Sequence, residues 1–274
     1  MKIRIWLITS ILLLAGTAGF VAGRYFSDNR KPNFSEKYVL YVHPEMTVDQ
    51  IKDSLAVSAG VIRPRSIDRT FKKMEVASKI KPGRYIIEPS ATSIYVARML
   101  VFGWQTPQNL TLSGTMRSKG SIARKISSQM MVDSTSIDTA LNDTAFLAQY
   151  GFTPENVFAL FLPDTYQMYW TASVKDIFDR FKKEYDAFWT PFIKDFANHL
   201  REKGWFERTC LAMDERGLED MLAVTRLIRE IEPEFKLSLA GFLHSEVEAD
   251  LHDLCVTFHS EFPSDIIDRR RSEG

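Results

Sequence analysis

Two adjacent carboxylates, Asp214 and Glu215, directly follow the short apolar run Cys210–Met213, which reads as a strand. A carboxylic acid held at a defined position can transfer a proton to a reacting oxygen. At the carboxyl end of a strand the pair would lie at the edge of the sheet where barrel enzymes have their catalytic residues. The alternative is a solvated helix N-terminus, where acidic side chains are common.

A second set of polar residues has the spacing of one helix face and could hold a metal. His244, Glu248 and His252 are four residues apart. A metal site needs three or four converging ligands with further support, and no other residues point to one, so an ordinary polar face is expected. Cys210 and Cys255 lack metal or redox spacing and read as buried free thiols. The sequence predicts no metal and no cofactor.

The charge balance argues against nucleic-acid binding and suggests where two domains meet. The chain has 35 basic and 35 acidic residues, so nucleic-acid binding has no overall electrostatic driver. Residues 1–188 carry 24 basic and 17 acidic groups, whereas residues 189–274 carry 11 and 18. This shift suggests a domain boundary near Trp189.

The N-terminus predicts a membrane anchor. Ile5–Gly23 is an uncharged run that reaches about 28 Å as a helix, enough to cross the hydrocarbon core. A cleavable signal peptide is the alternative, but Ala15–Gly19 is a poor cleavage site. We expect a retained single-pass anchor in the inner membrane, over residues 1–23, with a polar tether at 24–37. Most of the chain would then lie outside the cytoplasm.

Residues 38–113 read as a small module of alternating strands and helices. Thr47 with Gln50 predicts a capping box at the start of the first helix, and Gly103 is a helix stop. The predicted order is β-α-α-β-α-β, with strands at Tyr38–Val42, Tyr85–Ile87 and Asn109–Leu112 and helices starting near Thr47, Ser66 and Ser90.

The module resembles the LysM-like region of the endolytic murein transglycosylases, membrane-anchored enzymes that cut the glycan strands of peptidoglycan. The residues that carry the resemblance are Val61-Ile62, Lys81-Pro82-Gly83-Arg84-Tyr85 and Leu100-Val101-Phe102-Gly103. The resemblance implies peptidoglycan glycan strands as partners, with cell-wall synthesis proteins nearby. A small α/β domain of another function is the alternative.

Residues 114–188 resemble the helical start of the transglycosylase domain. The segment Leu160–Trp170 is similar to that family's "P-D/N-T-Y" segment, which borders the glycan cleft. The resemblance makes Asp164, Thr165, Tyr166 and Tyr169 candidate sugar contacts, since aromatic faces pack on pyranose rings and polar groups take sugar hydroxyls. The alternative is a turn or helix cap with half-buried tyrosines.

The resemblance ends near Trp189. In the family, a helix bearing the catalytic glutamate follows, and no such segment is present after Trp189. The nearest apolar and acidic run, Ile228–Glu232, has a different context. The expected consequence is a transglycosylase-type protein without lytic activity, since a missing acid means a missing proton transfer.

Residues 189–274 read as helices alternating with three strands, at Cys210–Met213, Leu237–Ala240 and Cys255–Phe258. This alternation predicts parallel βαβ units, too few to close a barrel. The segment resembles the barrel of N-acetyl-β-galactosaminidases that use an adjacent Asp-Glu pair. The residues are Trp189-Thr190-Pro191, His199-Leu200, Lys203-Gly204-Trp205 and Met213-Asp214-Glu215-Arg216.

That second resemblance implies roles for the two carboxylates. Asp214 would orient the 2-acetamido group, whose oxygen attacks the anomeric carbon, and Glu215 would protonate the leaving oxygen.

The predicted fold class is α+β: a transmembrane helix, a LysM-like α/β module at 38–113, a helical partial transglycosylase domain at 114–188 and an incomplete βα-barrel fragment at 189–274. The predicted function is a membrane-anchored cell-envelope protein of transglycosylase type, inactive in lysis. The alternatives are a glycan-binding module and a substrate-assisted N-acetylhexosaminidase that uses Asp214 and Glu215.

Overall fold

A computed structural model describes residues 2–114, 116–215, 217–256 and 263–273. The chain is a mixture of helices and strands divided into two compact units. Unit 1 comprises Met1–Leu110, Ser127–Val132 and Thr165–Ser173, and unit 2 comprises Thr111–Ile126, Asp133–Asp164 and Val174–Gly274. The mixed class is as predicted, and the described strands form no closed barrel.

The first helix, α1 (Lys2–Asn29), contains an apolar stretch at Thr9–Asn29 that is long enough to cross a membrane. Its 18 most apolar consecutive residues include none that is buried, as expected for a membrane anchor or a signal sequence. The helix continues past Gly23, and Asp28 and Asn33 are buried against the following module. Residues 24–29, at the start of the predicted polar tether, are therefore part of α1.

Unit 1 is built mainly around a two-stranded sheet covered by helices. Strands β1 and β2 are antiparallel, with Leu40 opposite Tyr85. The capping box at Thr47 is confirmed, and Gly103 ends a helix with a left-handed φ of 70°. The elements are β1 (Tyr38–Val42), α2 (Val48–Ser58), α3 (Pro64–Lys73), α4 (Val76–Lys79), β2 (Gly83–Ile87), α5 (Ser93–Phe102) and β3 (Gln108–Thr111).

Two predictions for this region need correction. The helix expected to run from Ser66 to Ala77 is interrupted at Glu75, which has a left-handed φ of 53°. Strand β3 does not join β1 and β2 but pairs with β4 (Thr165–Met168), far along the chain. The predicted three-stranded module is therefore a two-stranded sheet, with β3 in a separate pair.

The helices of the middle segment agree with the apolar periodicity of the sequence. Asp133 caps α7 by accepting a hydrogen bond from the Ser136 amide at 2.8 Å. Phe178 and Phe181 of α9 are fully buried and pack on Phe161. The helices are α6 (Lys119–Ser127), α7 (Ser134–Asn142), α8 (Thr144–Ala148) and α9 (Val174–Glu202), with a 3-10 turn at Val157–Leu160.

The long helix α9 passes through the predicted boundary. Trp189 lies inside it, and so does Pro191, which lacks the amide hydrogen that would bond to the carbonyl of Ala187. The apolar periodicity of the sequence predicts two separate helices here, at Ser173–Trp189 and Pro191–Gly204, and the structure joins them. Buried Ile193, Ala197 and Leu200 continue the apolar face beyond the proline and hold the helix on the following sheet.

The last segment is a three-stranded parallel sheet, as predicted, in the order β5-β6-β7. The buried core of this sheet includes Leu237, Leu239 and Phe235. Cys210 is partly exposed and Cys255 is exposed, so the expectation of buried thiols is wrong. The elements are β5 (Cys210–Asp214), α10 (Leu218–Ile231), β6 (Lys236–Gly241), α11 (Ser245–Glu248), β7 (Asp253–Val256) and α12 (Ser264–Glu273). Thr257 and Phe258 of the predicted third strand lie outside the described residues.

Candidate active site

The two adjacent carboxylates lie where the sequence predicted, at the carboxyl end of a parallel strand. Asp214 is the last residue of β5 and pairs in register with Ala240 of β6. The Glu215 amide donates a 2.8 Å hydrogen bond to the Ala240 carbonyl, which continues the ladder one residue beyond the strand. Both carboxylates are exposed, so they are accessible to a ligand and to water.

The backbone at Glu215 turns sharply, and one glycine makes room for it. Glu215 has a φ of 45°, in the left-handed region that side-chain-bearing residues seldom adopt. Gly241 ends the neighbouring strand with a φ of +151°, and a Cβ built there would lie 3.2 Å from both the Cα and the nitrogen of Glu215. Gly241 therefore permits the close approach of the two strand ends that sets the position of Glu215. Sequence reasoning missed this residue.

A cleft of about 570 Å³ opens beside Asp214, within unit 2. Its size suits a small-molecule or sugar site. It combines three aromatic rings with three carboxylates on an otherwise largely apolar wall. The lining residues are Phe152, Glu155, Asn156, Phe158, Ala159, Tyr185, Ala212, Met213, Asp214, Asp220, Ala223, Val224 and Leu227.

The aromatic side of the cleft is fixed by packing. Phe152 and Tyr185 meet edge to face, with their ring centroids 5.2 Å apart. Burial raises the pKa of Tyr185, with a further contribution from the negative charge of Asp186, so the phenol stays protonated at neutral pH. Phe158 remains partly exposed at the rim. These rings offer flat apolar surface of the kind that packs on sugar rings.

The polar side of the cleft is acidic. Glu155, Asp214 and Asp220 all contribute to its wall. A hydrogen bond from Thr153 lowers the pKa of Glu155, which therefore stays ionised at neutral pH. Such oxygen acceptors suit the hydroxyl and amide hydrogens of an N-acetylated sugar, and they disfavour an anionic ligand.

The candidate sugar contacts of the "P-D/N-T-Y" segment have different environments. Asp164 and Thr165 are exposed, and Tyr169 is 52% exposed, so their polar groups are accessible. Tyr166 is only 1% exposed and packs in the interior. Thr165, Tyr166 and Tyr169 belong to unit 1, whereas Asp164 belongs to unit 2 with Asp214 and Glu215.

Of the three residues whose spacing could have suited a metal, Glu248 forms an ion pair with arginine side chains instead. Glu248 is buried and accepts hydrogen bonds from Arg269 and Arg270 of α12. Among the described residues, His244 and His252 form no metal-ligating group with it. An ordinary polar face was expected here, whereas Glu248 is buried in an ion pair with these two arginines.

Comparison with known protein families identifies the part of the chain that contains the carboxylate pair. The model of the family described as glycoside hydrolase 123, catalytic domain, matches residues 130–274, more than half of the chain. The match begins at residue 130, well before Trp189, where the sequence resemblance was placed. No curated protein matches the chain.

Two solved structures are similar to parts of the chain. One is a family 123 glycoside hydrolase from Clostridium perfringens, described for glycolipid glycan hydrolysis, which is 28% identical. The matched region covers 33% of this chain and 17% of that protein, with a TM-score of 0.29. A YceG-like protein from Listeria monocytogenes is 17% identical and covers 62% of this chain and 59% of its own, with a TM-score of 0.34. The chain thus spans less than two thirds of either protein.

Proposed function

The chain belongs to the glycoside hydrolase 123 family through residues 130–274, and from this we propose that it hydrolyses β-linked N-acetylhexosaminides with Asp214 and Glu215 as its reacting pair. The observation that carries the proposal is the position of the pair, exposed at the carboxyl end of β5 beside a cleft with aromatic and acidic walls. The carboxyl ends of parallel strands are where ligands bind in such sheets.

In the proposed reaction the substrate supplies the nucleophile. Asp214 accepts a hydrogen bond from the 2-acetamido N–H, which directs the acetamido oxygen to the anomeric carbon. Glu215 gives its proton to the glycosidic oxygen as the bond to the anomeric carbon breaks, and an oxazolinium ion forms. Water then adds to the anomeric carbon as the bond between that carbon and the acetamido oxygen breaks, which restores the 2-acetamido group. The Glu215 carboxylate takes up a proton from that water, which regenerates the acid.

The geometry supports a division of labour between the two residues. Asp214 lines the cleft, where a sugar ring can stack against the aromatic wall. Glu215 lies one residue beyond the strand, where its backbone amide donates a hydrogen bond to the Ala240 carbonyl and its backbone lies close to Gly241. An exposed carboxylate at this point is accessible to the leaving group and to the incoming water.

The test is hydrolysis of two β-N-acetylgalactosaminides by the purified full-length chain, one with a 4-nitrophenolate leaving group and one with an alkyl alcohol. The proposal expects Glu215→Gln to slow the alkyl glycoside far more than the nitrophenyl one, because a good leaving group needs less protonation. Glu219→Gln, a change to an exposed glutamate of α10, is the control and should keep full activity. Equal rates for Glu215→Gln and the unmodified chain on both substrates would refute the role of Glu215.

A second candidate function rests on the N-terminal half. Its supporting observation is α1, an exposed apolar helix joined to the module that resembles the LysM-like region of murein transglycosylases. In this proposal the chain is anchored in the inner membrane by α1 and binds peptidoglycan glycan strands, with Thr165 and Tyr169 of unit 1 as contacts. The segment that carries the catalytic glutamate in that family is absent after Trp189, so glycan-strand cleavage by the transglycosylase route is not expected.

The two candidates are separated by incubating the full-length chain with purified peptidoglycan sacculi. Co-sedimentation without release of 1,6-anhydro sugars would support the anchored binding function. Release of those products would contradict the expected lack of lytic activity. The absence of co-sedimentation would refute this second candidate and would leave the hydrolase proposal unaffected.

A further inference from the structure

The end of α1 is joined to the first module through a buried polar network. Ser66 of α3 donates a 2.6 Å hydrogen bond to Asp28, and the Arg69 side chain donates two hydrogen bonds to the same carboxylate. Ser66 and Ser93 are 2.8 Å apart at their hydroxyl oxygens, and Asn33 donates a 2.8 Å bond to Ser93. The network connects α1, α3 and α5 without a flexible segment between them.

The position of this network along α1 places the module close to the bilayer. The uncharged run of the helix ends at Gly23, and Asp28 lies five residues further on. A helix rises 1.5 Å per residue, so Asp28 lies about 7.5 Å beyond the end of that run. The polar headgroup layer on each side of a bilayer is roughly 5–7 Å thick. If α1 crosses a membrane, the packed module begins at the outer edge of the headgroups.

Helix α5 presents an exposed aromatic face on the same module. Tyr95, Phe102 and Trp104 are each about half exposed, and Trp104 lies near both of the other rings, at centroid distances of 6.0 Å and 5.5 Å. Arg98 is exposed between Tyr95 and Phe102 on the same helix face. Tyr95 lies in the first turn of α5, and the start of this helix adjoins the segment after α1, where the Asn33 backbone amide donates a 2.9 Å hydrogen bond to the Ala91 carbonyl.

The composition of this face matches the membrane interface. Tryptophan and tyrosine concentrate at the level of the headgroups, because their rings are apolar and carry one polar edge. Arg98, with Arg30 and Lys31 at the exit of α1, adds exposed positive charge that is complementary to anionic lipids. Tyr25 and Phe26, exposed on α1 just beyond Gly23, have the same character.

We propose that the exposed surface formed by Tyr95, Arg98 and Phe102 of α5 and by Trp104 just after it, the aromatic face, inserts into the anionic headgroup layer of the membrane that α1 crosses. This inference rests on the proposed membrane anchor. The consequence is a module held in one orientation at the membrane surface, rather than one that moves on a tether. Its glycan ligands would then be bound close to the membrane.

The test uses the full-length chain with Cys210→Ser and Cys255→Ser, reconstituted in vesicles that contain phosphatidylglycerol. One fluorescent probe is attached through Trp104→Cys and a matched probe through Val57→Cys, since Val57 is 85% exposed on α2. Lipids with a nitroxide on the headgroup quench probes in that layer. We expect quenching of the probe at 104 to be at least twice that at 57, and Arg98→Gln to reduce it in anionic vesicles.

The possible failures are distinguishable. Equal quenching at both positions, in vesicles that float with the full-length chain, would overturn this inference and leave the anchor intact. A chain that does not float with the vesicles would refute the anchor and the inference together. Protection of the probe at 104 by soluble peptidoglycan fragments, without quenching by lipid, would assign the aromatic face to glycan binding and would also overturn the inference.

Discussion

The ion pair between α12 and Glu248 gives the sharpest test of how unit 2 is held together. Arg270 donates to the Glu248 carboxylate and also to the backbone carbonyls of Glu248 and Leu251, at 2.8 Å and 3.0 Å. The Glu248 side chain is only 5% exposed, whereas that of Arg270 is 24% exposed. The change Arg270→Ala removes all of these bonds and leaves a buried carboxylate with Arg269 alone.

The magnitude follows from the burial of the carboxylate. Breaking a fully buried ion pair costs roughly 3–5 kcal/mol, and the partial exposure of Arg270 together with the remaining Arg269 reduces this to about 2–3 kcal/mol. At about 1.4 kcal/mol per factor of ten, the local opening equilibrium of α12 should rise roughly 30- to 150-fold. Hydrogen exchange of the peptide covering 263–273 measures this directly. Arg271→Ala, a change to an exposed neighbour, is the control and should alter exchange by less than about threefold.

The effect of Arg270→Ala on hydrogen exchange in α12 should depend on pH, in the direction set by the pKa of Glu248. Burial alone raises the pKa of Glu248, but the hydrogen bonds from Arg270 and Arg269 outweigh it, so the pKa lies below its ordinary value of 4.5. The stabilisation is complete above the ordinary value and is lost as the pH falls through the lowered one. The difference between Arg270→Ala and the unmodified chain should therefore shrink as the pH falls below 4.5. Equal exchange for Arg270→Ala and Arg271→Ala at pH 7 would refute the reasoning.

Three further predictions concern the site and the helices. Gly241→Ala should displace Glu215 and so lower kcat/KM for hydrolysis roughly 10- to 100-fold. Gly204 also has a positive φ but open space around it, so Gly204→Ala is the control and should leave kcat/KM unchanged. Pro191→Ala should raise the free energy of unfolding of the full-length chain in urea by about 2 kcal/mol if α9 is continuous, and a loss of stability would contradict that continuity. Thr47→Ala should cost about 1 kcal/mol through loss of the capping box, and an unchanged denaturation midpoint would show that the cap contributes nothing.

Local signals in the sequence predicted individual elements well. The capping box at Thr47 and the helix stop at Gly103 both depend on residues a few positions apart, and the structure confirms them. The parallel order of β5, β6 and β7 follows from the strand and helix alternation, for which short connections leave few arrangements.

Features that depend on contacts between residues distant in sequence could not be predicted from such local signals. A four-residue strand such as β3 carries no pattern that selects between β2 and the distant β4 as its partner. The continuity of α9 through Pro191 depends on buried residues on both sides of the proline, which outweigh the lost hydrogen bond. The exposure of Cys255 depends on which face of β7 it occupies, and a four-residue strand of mixed character leaves that face open.

The candidate site was predicted in part. Asp214 and Glu215 were identified from their position after an apolar run, and the structure places them at the strand end as expected. The cleft beside them could not be predicted, because Phe152 and Tyr185 come from segments distant in sequence. The contribution of Gly241 depends on a strand-end contact with Glu215 that no spacing rule encodes.

The most direct test of the proposed mechanism is the binding of an N-acetylgalactosamine thiazoline, a stable mimic of the oxazolinium ion, to the full-length chain by isothermal calorimetry. Substrate assistance by Asp214 predicts saturable binding that weakens at least tenfold in Asp214→Asn and is retained in Glu219→Gln. An affinity that is the same for the unmodified chain and for Asp214→Asn, or no binding by the unmodified chain, would contradict the assignment of Asp214 and Glu215 as a substrate-assisted hydrolase pair.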